Sequence, residues 1–108
     1  WYIDPLDGTK NFAHGFGHFC TMLALQQDGV LQLAVIHDPL RQETFTAERG
    51  HGAHCNGVPM RVTQSGELRR ALVASGFPSS KRHGDADTSP FLRVSRSVQG
   101  LRRTGCTG

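Results

Sequence analysis

Cysteine is scarce in this chain, long apolar runs are missing and aromatic residues are few. Only Cys20, Cys55 and Cys106 occur, an odd number set far apart, and no two stand at a short paired spacing such as C-x-x-C. That pattern suggests neither a disulfide framework nor a structural zinc site, and it fits a reducing cytoplasm, the expected localisation. No apolar run approaches the ~20 residues that cross a bilayer, so no membrane partner is expected. No signal-peptide pattern is visible either. Aromatic side chains make up 7% of the chain and no Lys/Arg run exceeds two residues, which argues against a nucleic-acid face despite a formal charge of +3. Internal repeats and low-complexity segments are absent.

At 108 residues the chain is large enough for one modest hydrophobic core and no more. It starts at Trp1 and stops at "RRTGCTG", just past a glycine turn with no terminal cap, which gives the expectation of a piece cut at both ends. Charge is uneven along it. Residues 1–54 hold three Lys/Arg against six Asp/Glu, and residues 55–108 hold nine against three. The scattered arginines of the second half read as a solvated face, or as one that docks onto acidic chain elsewhere.

The local pattern is mostly that of strands. "HFCTMLALQQ" (18–27) is apolar with partial alternation, Asp28-Gly29 is a hairpin signal, and "VLQLAVIH" (30–37) reads as the returning strand. After the Asp38-Pro39 turn, "ETFTAE" (43–48) alternates, with Phe45 and Ala47 on one side and Thr44 and Thr46 on the other. The expectation is a three-stranded antiparallel meander. "RGHGAHCNG" (49–57), with three glycines and an Asn-Gly pair, is expected to be loop. "ALVAS" (71–75) is a short strand candidate and "KRHGDADTSP" (81–90) a polar loop. A helix is expected to start at Thr88 or Ser89 before Pro90, to carry Phe91, Val94 and Val98 on one face, and to close at Gly100. "LRRTG" then runs extended.

The chemistry concentrates at the start, in "WYIDPLDGTKNF". Trp1, Tyr2 and Ile3 read as a strand end buried in a sheet, and Pro5 bars the ladder from continuing, so Asp4 stands at the strand's exit. Asp4 and Asp7, with two residues between them, can face a common centre, and like charges that close call for a cation or a proton between them. Hard oxygen ligands favour Mg2+, Mn2+ or Ca2+ over zinc. Gly8 lets the backbone come close to an anion, and a helix starting at Thr9 would aim its unpaired N–H groups at the same point. Metal on one side and amide donors on the other describe a phosphate seat. The alternative, open on residue types alone, is that Asp4 caps a turn and Asp7-Gly8 is a plain bend. The loop histidines His14, His18, His51 and His54 pair with no cysteine at a recognised spacing and read as surface residues. Cys106 reads as a buried, inert thiol.

"WYIDPLDGTKNFAHGFGHFC" closely resembles the first signature of the inositol monophosphatase family, D-P-[IL]-D-G-T-x-N-F after a strand. "DPLRQETFTAERGHGAHCNG" is similar to that family's central hairpin and Gly-rich loop, and "GLRRTGCTG" to the segment leading into its next helix. The resemblance covers the whole chain. It implies an α/β fold: residues 1–108 as a portion of an αβαβα layered sugar-phosphatase domain with a largely antiparallel sheet. The helical part before it and a W-D-containing part after it would be missing. Carried over by position, Asp4 and Asp7 would bridge Mg2+ and Leu6 would offer it a backbone carbonyl. Leu6, Asp7, Gly8 and Thr9 would line the phosphate, and the Thr9 hydroxyl would orient the attacking water. Lys10 stands where threonine is commoner. The implied activity is a Mg2+-dependent, lithium-sensitive phosphomonoesterase in which activated water attacks in line and no phosphoenzyme forms. The substrate would be inositol monophosphate or a similar small polyol phosphate ester, and the full-length protein would be a homodimer.

Histidinol-phosphate and fructose-bisphosphate phosphatases share the fold and remain alternatives. A nucleotidase is disfavoured because that branch tends to carry an acidic residue where Asn11 stands. Aspartyl-phosphate phosphatases also begin with a strand and D-x-D-G-T, but here the carboxylates lie three apart with Pro5 between them, which puts a nucleophile and its partner acid out of register. An inert truncated piece, exposing an apolar sheet face, is the remaining reading.

Overall fold

The structure, a computed structural model, describes residues 1–64, 66–76 and 88–106. It divides into two compact units, one of Trp1–Val62 joined by the chain from Gly105, the other of Thr63–Thr104.

The first unit is a six-stranded sheet in sequence order. Its strands are β1 (Tyr2–Asp7), β2 (Cys20–Gln27), β3 (Val30–Asp38), β4 (Glu43–Glu48), β5 (Gly52–Cys55) and β6 (Val58–Pro59), and the short helix α1 (Thr9–Ala13) follows β1. Every neighbouring pair is antiparallel. Local chemistry sets the turns. Asp28 and Gly29 take φ of 52° and 77°, and Gln27 pairs with Val30 across them. Two left-handed residues in a row give a turn whose twist matches that of the flanking strands. Between β3 and β4, Asp38 Oδ1 accepts from the backbone N–H of Leu40 (2.9 Å) and Arg41 (3.0 Å).

The expected meander is therefore present, and it continues. Residues 49–57, expected as loop, contain β5 and the Asn56-Gly57 turn into β6. The backbone groups of β4's outer edge are what order this segment: Phe45 pairs with Cys55 and Ala47 with Ala53. Asn56 reinforces the arrangement by accepting from Thr44 N (2.8 Å) and donating to the Gln42 carbonyl (3.1 Å).

The core is thin. Among the described residues only Gly8 and Cys20 are buried. Trp1, Tyr2 and Ile3, expected inside a sheet, are 66%, 61% and 67% exposed. The reason is topological, since among the described residues β1 is an edge strand paired only with β2. An edge is also where a strand tolerates Pro5.

In the second unit, a 3-10 turn (Leu68–Arg70), β7 (Leu72–Ala74), α2 (Ser89–Ser97) and β8 (Gly100–Arg102) follow in order. β7 and β8 run parallel. The strand expected at 71–75 and the helix start before Pro90 both hold. The helix stops at Ser97, short of the expected Gly100, because Val98 is already extended (φ −116°, ψ 161°). Gly100 instead opens β8, and the Gln99 N–H reaches the Ala71 carbonyl at 3.0 Å. Most of the polar loop expected at 81–90 lies outside the described residues. No helix among the described residues is long and apolar enough to cross a membrane.

Candidate functional site

The exit of β1 is built around one irregularity. The ladder to β2 pairs Asp4 with Met22 and next pairs Asp7 with Cys20, with a shift of register between. Pro5 has no N–H to give the ladder, so the strand bulges there and resumes rather than stopping at Asp4 as expected. The Pro5 carbonyl is still used, accepting from the Thr21 hydroxyl at 3.1 Å.

Within the bulge, polar groups fix one another. Asp4 Oδ1 accepts from Leu6 N (3.1 Å), Asp7 Oδ1 accepts from Gly8 N (2.8 Å), and the Thr9 hydroxyl donates to the Leu6 carbonyl (2.8 Å). Each carboxylate thus accepts from a backbone N–H through its Oδ1. The Gly8 N–H, expected to face a phosphate, is engaged by Asp7 here. Asp4 and Thr9 are exposed, Leu6 and Asp7 half-buried.

Gly8 then turns the chain with φ 79°. A Cβ at this position would stand 2.8 Å from the His18 carbonyl oxygen and 3.1 Å from Phe19 Cα, so the loop is seated directly on the segment that enters β2. α1 secures that seat: Phe12 packs edge-on against Phe19 with ring centroids 5.1 Å apart, and the Asn11 amide donates to the His18 carbonyl at 2.7 Å. A carboxylate at position 11 could not donate, so asparagine there has a structural reason of its own.

On the buried side of Asp7 lies a feature that sequence spacing did not show. The Cys106 thiol donates to Asp7 Oδ2 at 3.2 Å, and its sulfur is 3.7 Å from that of Cys20. One ligand atom from each of Asp7, Cys20 and Cys106 falls within 4.8 Å of the others. Burial pushes the Cys20 thiol above its ordinary value, the hydrogen bond with Cys106 opposes this, and the charges of Asp7, Asp4 and Asp38 add to the rise. Cys106, expected to be buried and inert, is half-buried and touches a site carboxylate. Among the described residues, none of the loop histidines joins a metal-ligating group of three.

The bulge residues suit a hard cation. Asp4, Leu6 and Asp7 bring two carboxylates and a carbonyl within four residues of chain. A carboxylate has about four acceptor positions and a carbonyl two. The hydrogen bonds described leave acceptor capacity at Asp4 and at the Leu6 carbonyl, and oxygen donors of this kind are what Mg2+ and Ca2+ take.

The inositol monophosphatase family model matches residues 1–108. The Nus factor SuhB of Pseudomonas aeruginosa is 45% identical over 97% of this chain, which covers 40% of that protein. Inositol monophosphatase from Anabaena superposes with a TM-score of 0.87 at 39% identity, over 95% of this chain and 42% of that one. An IMPase/NADP phosphatase solved with Mg2+ and phosphate superposes with a TM-score of 0.77 at 25% identity, over 96% of this chain and 38% of that one. The mixed α/β arrangement with its largely antiparallel sheet is part of the fold these structures share. This chain spans about two fifths of the length of the curated relatives it matches. A match running from the first residue to the last, around a bulged D-P-L-D-G-T strand exit, leaves one assignment: the chain belongs to the inositol monophosphatase family.

Proposed function

We propose that residues 1–108 form part of the catalytic domain of a Mg2+-dependent phosphomonoesterase acting on inositol monophosphate or a similar small polyol or sugar phosphate. The observation that carries the reading is the bulge itself: Asp4 and Asp7 each held through one oxygen by a backbone N–H, with the Leu6 carbonyl between them. Asp4, Asp7 and the Leu6 carbonyl would hold Mg2+. Bound there, Mg2+ would supply the charge that makes water a nucleophile at neutral pH and offsets the developing charge on the phosphoryl group. Gly8 keeps the loop pressed onto the His18–Phe19 backbone, so the carboxylates hold their positions while the substrate changes charge. The Thr9 hydroxyl, now donating to Leu6, fixes that carbonyl and has lone pairs left to accept a proton from water. The IMPase/NADP phosphatase solved with Mg2+ and phosphate supports the same chemistry by likeness. Acids that complete the ligand set would come from chain outside these residues, and the full-length protein is proposed to be a cytoplasmic homodimer inhibited by lithium.

The test is phosphate release from inositol monophosphate by the full-length protein. Turnover should require Mg2+, disappear with chelator and fall at least ~100-fold in Asp4→Asn with the circular dichroism spectrum unchanged. Full activity in Asp4→Asn refutes the site. A second reading, a Nus-factor role, is favoured by the name and 45% identity of the Pseudomonas relative. An Asp4→Asn protein that loses esterase turnover but still complements loss of that relative would favour it.

A further inference from the structure

We propose that Asp7, Cys20 and Cys106 form a binding site for a thiophilic divalent cation, Zn2+ foremost, separate in donor chemistry from the hard-oxygen site but sharing Asp7 with it. All three residues belong to the first unit. Zinc bonds thiolate sulfur at about 2.3 Å and carboxylate oxygen at about 2.0 Å in tetrahedral sites, which places two ligand sulfurs about 3.8 Å apart and a sulfur and an oxygen about 3.5 Å apart. Here the sulfurs are 3.7 Å apart and Cys106 Sγ lies 3.2 Å from Asp7 Oδ2. Two of the three edges these ligands would span are therefore nearly in place before any metal binds, and the third, from Cys20 to Asp7, lies within 4.8 Å. A disulfide, by contrast, needs the sulfurs at about 2.05 Å.

The three ligands are held by independent means. Cys20 and Asp7 are ladder partners on adjacent strands, so backbone pairing fixes their separation. Asp7 Oδ1 is bonded to Gly8 N, which leaves Oδ2 as the oxygen turned to the sulfur. Cys106 is positioned by its neighbour Gly105, whose backbone abuts the Asn11 side chain, a Cβ there falling 3.3 Å from Asn11 Oδ1. Orienting contacts of this kind around metal ligands govern affinity as the ligands do.

Ligation converts two thiols to thiolates and releases two protons, and with the Asp7 carboxylate gives a site of formal charge −3 around a dication. Three protein ligands leave a fourth position for water, as in open zinc sites. One consequence rests on the proposed phosphatase function: Zn2+ holding Asp7 withdraws it from Mg2+, so Zn2+ inhibits turnover. The site itself does not depend on that function.

The experiment uses metal-free full-length protein kept reduced with a phosphine. Titration with Co2+ should give a thiolate-to-cobalt charge-transfer band and tetrahedral d–d bands, both displaced by Zn2+. These should persist in Cys55→Ser and in Asp4→Asn, and be lost in Cys106→Ser, whose hydroxyl can still donate to Asp7. Zn2+ affinity in Cys106→Ser should fall ~100-fold or more, since even orienting residues are worth up to that much. Peptide mapping after alkylation provides a readout on the unmutated protein: Zn2+ should shield Cys20 and Cys106 and leave Cys55 reactive. No charge-transfer band, an unchanged band in Cys106→Ser, or unshielded Cys20 and Cys106 overturns the proposal. Loss of turnover in Asp4→Asn with the cobalt band intact keeps it distinct from the phosphatase assignment.

Discussion

Replacing Gly8 with alanine tests the fit of the loop more sharply than any other single change. Gly8 has φ 79°, and an alanine Cβ would meet the His18 carbonyl oxygen at 2.8 Å, Phe19 Cα at 3.1 Å and Phe19 Cβ at 3.2 Å. None of these atoms belongs to a flexible side-chain end that could swing aside. The left-handed conformation costs a non-glycine residue about 1–2 kcal/mol, and forcing a methyl into a packed place costs about 1–3 kcal/mol more. Gly29 is the control. It has nearly the same φ, 77°, but a Cβ there would find nothing within 4 Å. Alanine restricts the unfolded chain by about 0.4–1 kcal/mol in both variants alike, so that contribution cancels in the comparison. Gly8→Ala should therefore be less stable than Gly29→Ala by about 1–3 kcal/mol, a large share of the ~5–15 kcal/mol of a typical domain. Urea unfolding of the full-length protein measures it as a lower midpoint at unchanged slope. Equal midpoints for the two variants would show that the loop does not sit on the His18–Phe19 backbone, and the argument for pre-positioned carboxylates would fall with it.

Two further changes probe single bonds. Thr9→Val removes the 2.8 Å bond to the Leu6 carbonyl while keeping the branched shape, and should cost about 1 kcal/mol in urea unfolding, whereas Thr9→Ser should stay within about 0.5 kcal/mol; equal losses would mean the hydroxyl is not the cause. Asp38 is held below its ordinary value of 3.8, first by the Arg41 backbone N–H and then by the Arg41 side chain, whose Nη1 stands 2.6 Å from Oδ2. A depressed folded-state value stabilises the fold above about pH 3.8 and loses that contribution as pH falls through the folded value. Asp38→Asn, which can still accept the turn's N–H bonds, should be the less stable protein above that pH and match the parent below it. A gap that persists in acid would refute the assignment.

Features governed by neighbours in sequence were legible in advance. Asp28-Gly29 specifies its hairpin because two left-handed residues suffice to reverse a twisted strand, and Pro90 marks a helix start because its fixed φ suits the first turn. The loop that follows the strand was legible in the same way, since the hydrogen bonds that shape Asp4 to Thr9 run between residues no more than three apart. Long-range pairing was not legible. β5 hides in a glycine-rich segment whose composition reads as loop, and it becomes a strand because β4 offers an edge whose backbone groups need partners. The same limit explains Trp1, Tyr2 and Ile3, whose apolar character signals burial while their strand, at the edge of the sheet among the described residues, leaves them exposed.

By itself, then, the sequence determined the Asp28-Gly29 hairpin, the helix start and the loop after β1, because turn geometry and short-range hydrogen bonds depend on a handful of adjacent residues. Only the tertiary structure decided that Cys106 lies against Cys20 and Asp7. Those cysteines are separated by 86 residues, a distance over which no local preference acts, and the returning chain, with Gly105 beside Asn11 and Cys106 bonded to Asp7, closes it.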